Sequence, residues 1–157
     1  MVETHRAFYD QSVRVEGFQY AVRCQDCTWT QVVDEDLHEA AVEALLDWHA
    51  ATPEHHVDHL SGPRPGQRLA VSPYAEWFDN EGLLAVKDTR TGGYSLAYNQ
   101  ECLAVFRSVT DDGTLESAIT ATSRSLKVHR TQARSEVEHT TLSLYRKGLL
   151  RPAAPTS

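Results

Sequence analysis

The sequence predicts an α+β protein. It would comprise an N-terminal ββα module, a β-hairpin plus helix in the middle, and a C-terminal helical hairpin. Two β-prone runs flank a CxxC motif near the start of the chain, and two more surround a glycine pair near its middle. Elsewhere apolar residues recur at spacings of three and four, which is the period of an amphipathic helix.

The first predicted elements are two strands joined by the CxxC motif. Residues 1–11 are polar without clear periodicity, and we expect a loose arm there. Apolar positions alternate from Val13 to Arg23, with a bulge expected at Gly17, and a second β-prone run covers Thr28–Val33. The motif Cys24-Gln-Asp-Cys27 lies between the two runs, so it should occupy the tip of a hairpin.

An amphipathic helix should follow the hairpin. Asp34 is a suitable N-cap, and the acidic residues Glu35 and Asp36 suit the first turn of a helix. Pro53 favours an end at about Ala51, because the residue before a proline avoids the helical region. The apolar positions that define this helix are Leu37, Ala40, Ala41, Ala44, Leu45 and Trp48.

The middle of the chain predicts a hairpin and a capped helix. Two β-prone runs, 83–88 and 94–98, flank Thr91-Gly-Gly93. Asn99 should cap a helix that reaches Val109 and is closed by Asp111-Asp-Gly113. Cys102, with apolar neighbours, is expected to be a buried core thiol.

The end of the chain predicts two helices, at about 115–126 and 131–145, with Lys147-Gly148 as the stop. The turn-rich stretch at residues 61–66 marks a domain boundary. We therefore expect a module over residues 1–60, a linker at 61–72, a second domain over 73–150 and a disordered tail at 151–157.

Composition and charge limit the functional classes. Apolar residues make up 41% of the chain and charged residues 24%, which is typical of globular proteins. Without an 18-residue apolar run or a signal-like start, we expect a cytoplasmic protein with no membrane contact. Residues 1–60 hold 12 acidic residues against 3 arginines, whereas residues 113–157 hold 7 basic residues against 3 glutamates. Nucleic acid would be repelled by the first segment and attracted by the last.

The N-terminal third carries a candidate metal site. Zinc takes four donors in a tetrahedron, and small domains commonly supply two from a hairpin turn and two from the end of a helix. Cys24 and Cys27 have the spacing of the first pair, and His49 falls near the helix end. His55 keeps the usual spacing for a fourth ligand, but the spacing alone leaves His55, His56 and His59 open.

A structural zinc ion is the preferred interpretation of these residues. One hairpin and one helix bury too little surface to fold alone, and a structural zinc contributes roughly 10–16 kcal/mol of apparent binding energy coupled to folding. A redox dithiol is the competing interpretation of the CxxC, but such a motif usually begins a helix. A catalytic zinc would require an open coordination position and a general base.

Two segments resemble known families. Residues 18–60, with the run YAVRCQDCTWTQVVDE and the later WHAATPEHHVDHL, resemble small actinobacterial zinc-finger-like domains with CxxC, a following aromatic residue and H-x5-H. The resemblance marks Cys24, Cys27, His49 and His55 as ligands. Residues 83–115 are similar to a short actinobacterial domain of unknown function associated with helix-turn-helix regulators. That likeness implies a regulatory, protein-interaction role. It rests on Val86, Lys87, Asp88, Thr89, Gly92, Leu96, Tyr98, Glu101, Phe106 and Gly113.

The basic end of the chain offers an alternative. Residues 123–134 resemble the turn and recognition-helix start of helix-turn-helix domains, although a solvated basic helical hairpin explains the same residues. Such side chains can hydrogen-bond phosphates and base edges in a major groove. The candidate nucleic-acid-binding residues are Lys127, His129, Arg130, Gln132 and Arg134.

Together these patterns predict a non-enzymatic zinc-binding regulatory protein that acts through a protein partner. One alternative is a sequence-specific DNA-binding transcriptional regulator that uses the basic C-terminal helices. A second is a small metal-dependent enzyme that uses the histidine cluster. No nucleophile elbow, phosphate loop or HExxH motif occurs in the sequence, so no catalytic residue is predicted.

Overall fold

The computed structural model describes the chain over residues 6–14, 19–34, 39–52, 56–64, 66–91 and 95–153. These residues form small antiparallel sheets and α-helices, which confirms the α+β prediction. Among the helices of the described ranges, none is long and apolar enough to cross a membrane.

The N-terminal sheet has the order β1-β2-β3, from strands Ala7–Arg14, Gln19–Cys24 and Thr30–Asp34. The predicted hairpin of β2 and β3 is confirmed, with the CxxC at its tip. The expected loose arm at residues 1–11 is wrong from Ala7 onward, because the backbone of β1 pairs with β2 and needs no apolar pattern to do so. The bulge expected at Gly17 lies outside the described residues.

Helix α1 spans Glu39–Ala51, and its buried residues are Ala41, Leu45 and His49. Its predicted end at Ala51 is confirmed, whereas the predicted start, residues 35–38, and Pro53 lie outside the described ranges. A small apolar cluster joins sheet and helix, formed by Val22, Trp29, Val33 and Leu45. We call residues 6–52 of the described chain the N-terminal module.

A second sheet has the order β5-β6-β7, from strands Ala75–Asn80, Leu83–Asp88 and Ser95–Tyr98. The predicted pairing of the last two is confirmed, while the glycine pair between them lies outside the described residues. Strand β5 was not predicted. It joins β6 through Glu81 and Gly82, which have φ values of 55° and 86°, as a two-residue hairpin turn of the primed kind requires.

Helix α2 spans Gln100–Asp112 and confirms both predicted caps. The side chain of Asn99 accepts a hydrogen bond from the Cys102 backbone N–H at 3.1 Å, and Gly113 ends the helix in the left-handed conformation. Cys102 is 7% exposed, which confirms it as a core thiol.

The predicted helical hairpin is also confirmed, by α3 (Glu116–Leu126) and α4 (Arg130–Arg146). At the end of α4, Gly148 adopts a φ of 76° and donates its N–H to the Tyr145 carbonyl at 3.0 Å. The N–H of the next residue bonds the Leu144 carbonyl at 3.1 Å, which completes a Schellman stop.

Strands β4 (Leu69–Val71) and β8 (Leu150–Pro152) pair to form a two-stranded antiparallel sheet. Part of the predicted linker at 61–72 is therefore a strand, and residues 151–152 of the predicted disordered tail are paired. Pairing between such distant segments leaves no local pattern in the sequence. The end of the tail, residues 154–157, lies outside the described ranges.

We call residues 66–153 of the described chain the C-terminal unit. Seventeen of its residues form one buried cluster, in which Phe106, Leu84 and Leu150 are 0% exposed. The unit meets the N-terminal module where a 3₁₀ turn at Thr89–Thr91 packs against α1. The two regions are therefore in contact, although the predicted linker at 61–72 separates them in sequence.

Candidate metal centre

The tip of the β2–β3 hairpin orients two cysteine sulfurs. The backbone N–H of Cys24 donates to the Trp29 carbonyl at 3.0 Å and closes the turn. Within it, the Asp26 N–H donates to Cys24 Sγ and the Trp29 N–H donates to Cys27 Sγ, each at 3.3 Å. Backbone N–H donors of this kind favour the thiolate form that binds metals.

His49 brings a nitrogen donor to the same place. It lies in the last turn of α1, is 0% exposed, and holds its Nε2 at 3.3 Å from Cys27 Sγ. The Trp29 ring stacks on the imidazole with centroids 4.2 Å apart and an interplanar angle of 12°. Because Trp29 is itself buried, its ring fixes the plane of the His49 imidazole.

The ligand atoms of Cys24, Cys27 and His49 all lie within 4.8 Å of one another. In a tetrahedral zinc site, bonds of about 2.3 Å to sulfur and 2.0–2.1 Å to nitrogen place neighbouring donors roughly 3.5–3.8 Å apart. The three residues therefore fit a metal with only small movements. Two sulfurs and an imidazole are also a donor set that suits zinc.

Without a bound cation, the electrostatics of the pair favour the protonated thiols. Burial raises the pKa of Cys27 to about 11, and the neighbouring Cys24 adds to the rise, against a lowering by the Trp29 backbone N–H. Two thiols this close resist joint deprotonation unless a positive charge lies between them. A divalent ion would supply that charge.

The predicted fourth ligand is only partly tested. His55 lies outside the described residues, so its role stays a prediction. The ring of His59 packs on Tyr145, with centroids 5.0 Å apart, and does not join the three ligand atoms. His56 is exposed and also lies outside that group, although its backbone carbonyl accepts a hydrogen bond from the Thr28 hydroxyl.

The candidate nucleic-acid-binding residues lie around the α3–α4 turn. Lys127 is the left-handed C-cap of α3, and the His129 ring nitrogen accepts from the Thr131 N–H at 3.1 Å as the N-cap of α4. Gln132 is exposed on the first turn of α4. These residues therefore surround one exposed turn, and two of the five serve as helix caps.

The two arginines of that set share an internal partner. Arg130 and Arg134 donate to the Glu116 carboxylate at 2.6 and 3.1 Å, and Arg130 also donates to the Thr120 hydroxyl at 2.8 Å. These pairs lower the pKa of Glu116, with Arg134 as the larger contributor. Nucleic acid would have to compete with Glu116 for both guanidinium groups.

Sequence reasoning missed Arg90, which reaches from the C-terminal unit to elements of the N-terminal module. Arg90 has 1% of its side chain exposed and contacts Trp48, the neighbour of His49 in sequence. It also donates to Gln31 on β3 at 2.7 Å. The one available signal was the polar Gln31 inside a strand of apolar residues, and nothing in the sequence pointed to Arg90.

Comparison of the chain with protein-family models, curated proteins and solved structures finds no match. The two family resemblances therefore stay predictions, and the geometry of the centre is the evidence on which a function can rest.

Proposed function

We propose that this chain is a non-enzymatic, zinc-binding regulatory protein that acts through a protein partner. A structural zinc ion would hold its N-terminal module together. The observation that carries the proposal is the convergence of two cysteine sulfurs and the His49 nitrogen within 4.8 Å, on elements from both sides of the module. Cys24 and Cys27 come from the hairpin tip, and His49 comes from α1.

A structural ion is favoured over a catalytic one by the surroundings of His49. Catalytic zinc keeps a coordination position that substrate and water can reach. Here the imidazole is fully buried and its face is covered by Trp29. The module around it is small, and in such modules zinc commonly provides much of the folding energy.

His55 is the proposed fourth ligand. The chain that follows it runs beside the hairpin, since the Thr30 N–H donates to the Val57 carbonyl at 3.2 Å and the Thr28 hydroxyl donates to the His56 carbonyl. Residue 55 is joined directly to His56, whose carbonyl touches the residue after Cys27. The proposal of His55 rests on this connection and on its spacing from His49.

A protein partner is supported by an apolar surface on the second sheet. The register of β5 and β6 places Phe78 and Leu83 on the face opposite Trp77, which packs on Phe106 in the core. Phe78 is 60% exposed and Leu83 43%. We propose that a protein partner contacts these two exposed apolar side chains.

Metal analysis of the purified 157-residue chain tests the proposal. We expect one zinc per chain, and cobalt substitution should give the absorption bands of a tetrahedral site with thiolate ligands. Cys24→Ser and His49→Ala should lower zinc affinity by about 100-fold or more, whereas Cys102→Ser and His139→Ala, matched controls away from the centre, should not.

Two further variants identify the fourth ligand. His55→Ala should weaken zinc binding and change the cobalt spectrum, while His56→Ala should change neither. A folded wild-type chain that takes up no metal would refute the proposal.

A further inference from the structure

Arg90 links the C-terminal unit to β3, which follows the two cysteines, and to α1, which carries His49. Its Nη1 donates to Gln31 Oε1 on β3 at 2.7 Å, and its guanidinium carbon lies 4.8 Å from the Trp48 ring centroid on α1. Strand β3 follows the Cys24–Cys27 turn, and Trp48 precedes His49. One side chain thus contacts the cysteine side and the histidine side of the module.

The C-terminal unit holds Arg90 rigidly. Asp88 accepts from its Nε at 3.0 Å and from its Nη2 at 2.8 Å, a two-pronged pair. The Tyr74 ring lies 3.7 Å from the guanidinium carbon, and its hydroxyl donates to the Gly148 carbonyl at 2.8 Å. Contacts with Asp88 and Tyr74 within the C-terminal unit therefore hold the Arg90 guanidinium group, in addition to its contacts with the N-terminal module.

Close packing leaves little freedom at this junction. A Cβ added to Gly148 would lie 3.0 Å from Gln31 Cδ and 3.2 Å from Arg90 Nη2. Only glycine fits there without displacing one of the two side chains. Gly148 of the C-terminal unit thus packs closely against both Gln31 and Arg90.

We infer that Arg90 is a positioning residue of the metal centre, and that zinc occupancy and the packing of the Arg90 junction stabilise each other. The inference rests on the proposed function. A site whose ligands are pre-positioned binds its ion more tightly, because less ordering accompanies binding. Arg90 supplies that order by holding β3 and α1 in one arrangement.

The coupling must also act in the opposite direction. If the N-terminal module unfolds, Arg90 loses the hydrogen bond to Gln31 and the contact with the Trp48 ring. Zinc binding, by keeping Gln31 and Trp48 in place, thereby stabilises the junction. Linkage requires that the two effects have the same free energy.

Zinc affinity measured by competition with a chelator tests the first direction. Arg90→Lys keeps the charge but cannot maintain the two-pronged pair, the Gln31 contact and the stacking together. We expect zinc affinity to fall about tenfold, or about 1.4 kcal/mol. The matched control is Arg107→Lys, since Arg107 pairs with Asp79 within the C-terminal unit on an exposed surface. It should bind zinc as the wild type does.

Amide hydrogen exchange in the wild-type chain tests the reverse direction and does not depend on any variant folding. Chelation should speed exchange of the Ser72 and Thr89 amides, which bond the Leu149 and Tyr74 carbonyls beside the junction. Exchange within α2 should not change. Equal zinc affinity in Arg90→Lys and the wild type, or unchanged exchange at Ser72 and Thr89, would overturn the coupling but leave the zinc proposal standing. A folded wild-type chain that binds no zinc would contradict both the coupling and the proposed zinc site.

Discussion

Seventeen described residues form the buried cluster of the C-terminal unit, whereas the corresponding cluster of the N-terminal module has four. A cluster of four residues, even with the other buried apolar residues Ala21, Val32 and Ala41, is too small to offset the ordering of three strands and a helix. The module instead brings two sulfurs and an imidazole together at its centre. The two regions thus illustrate two ways to stabilise a fold, by apolar burial and by a metal cross-link.

Metal removal should have the largest effect on this comparison. Structural zinc is worth roughly 10–16 kcal/mol of apparent binding energy, so chelation should unfold the N-terminal module while α2–α4 stay folded. Alkylation followed by mass spectrometry should then modify Cys24 and Cys27 but not Cys102. Burial raises the pKa of Cys102 to about 11 from 9.0, which leaves about a hundredfold less thiolate at neutral pH.

The number of modified cysteines decides the outcome. Two modified cysteines after chelation and three after full denaturation would support separate sources of stability. Three after chelation alone would mean that the whole chain depends on the metal. None after chelation would mean that the metal does not hold the module together.

The parts of the fold that sequence predicted are those that local residues determine. The caps of α2 are one example, since Asn99 and Gly113 act on their own helix. The hairpin with Cys24 and Cys27 at its tip is another, because the alternation and the motif lie in one short segment. His49 could be predicted for the same reason, since helix periodicity and ligand spacing both place it at the end of α1.

The parts that sequence missed depend on distant partners. Strand β1 has no clear apolar periodicity and forms through backbone pairing with β2, and β8 pairs with β4 from the other end of the C-terminal unit. The turn at Glu81-Gly82 lacks the Asn-Gly or Asp-Gly pair that usually marks such hairpins. Arg90 takes its role from residues on β3 and α1, and no spacing rule connects them.

Replacement of Phe106 by alanine tests how much apolar burial stabilises the C-terminal unit. Phe106 is 0% exposed and meets the Trp77 ring edge-on, with centroids 5.6 Å apart. Phe106→Ala should lower the free energy of unfolding by about 3–5 kcal/mol, as measured by denaturant titration of the zinc-loaded chain. Phe78→Ala, at a residue that is 60% exposed, is the control and should change it by about 0.5 kcal/mol or less.

The zinc content of the same variant tests whether the two regions are stabilised independently. Zinc content of Phe106→Ala should stay at one per chain in native buffer, because Cys24 and Cys27 pack against the N-terminal cluster. Loss of zinc together with stability would show that the N-terminal module relies on the apolar cluster, and the contrast between the regions would fail.

The smallest expected effect concerns the exposed ion pairs that join α3 and α4. Glu116→Gln removes the acceptor charge shared by Arg130 and Arg134. Because these arginines lower the pKa of Glu116, the pairs stabilise the fold at neutral pH, and that stability is lost as the pH falls below the ordinary value of about 4.5 and through the lowered pKa. Thermal melts should show a small decrease in Tm at pH 7 that shrinks in acid and at high salt. Glu136→Gln, at another exposed glutamate, controls for the loss of a negative charge.

A large decrease in Tm would mean that charge pairs and not apolar burial hold the helices together. DNA affinity that appears only in Glu116→Gln would identify Glu116 as the group that occupies the two arginines, and would revive the DNA-binding alternative.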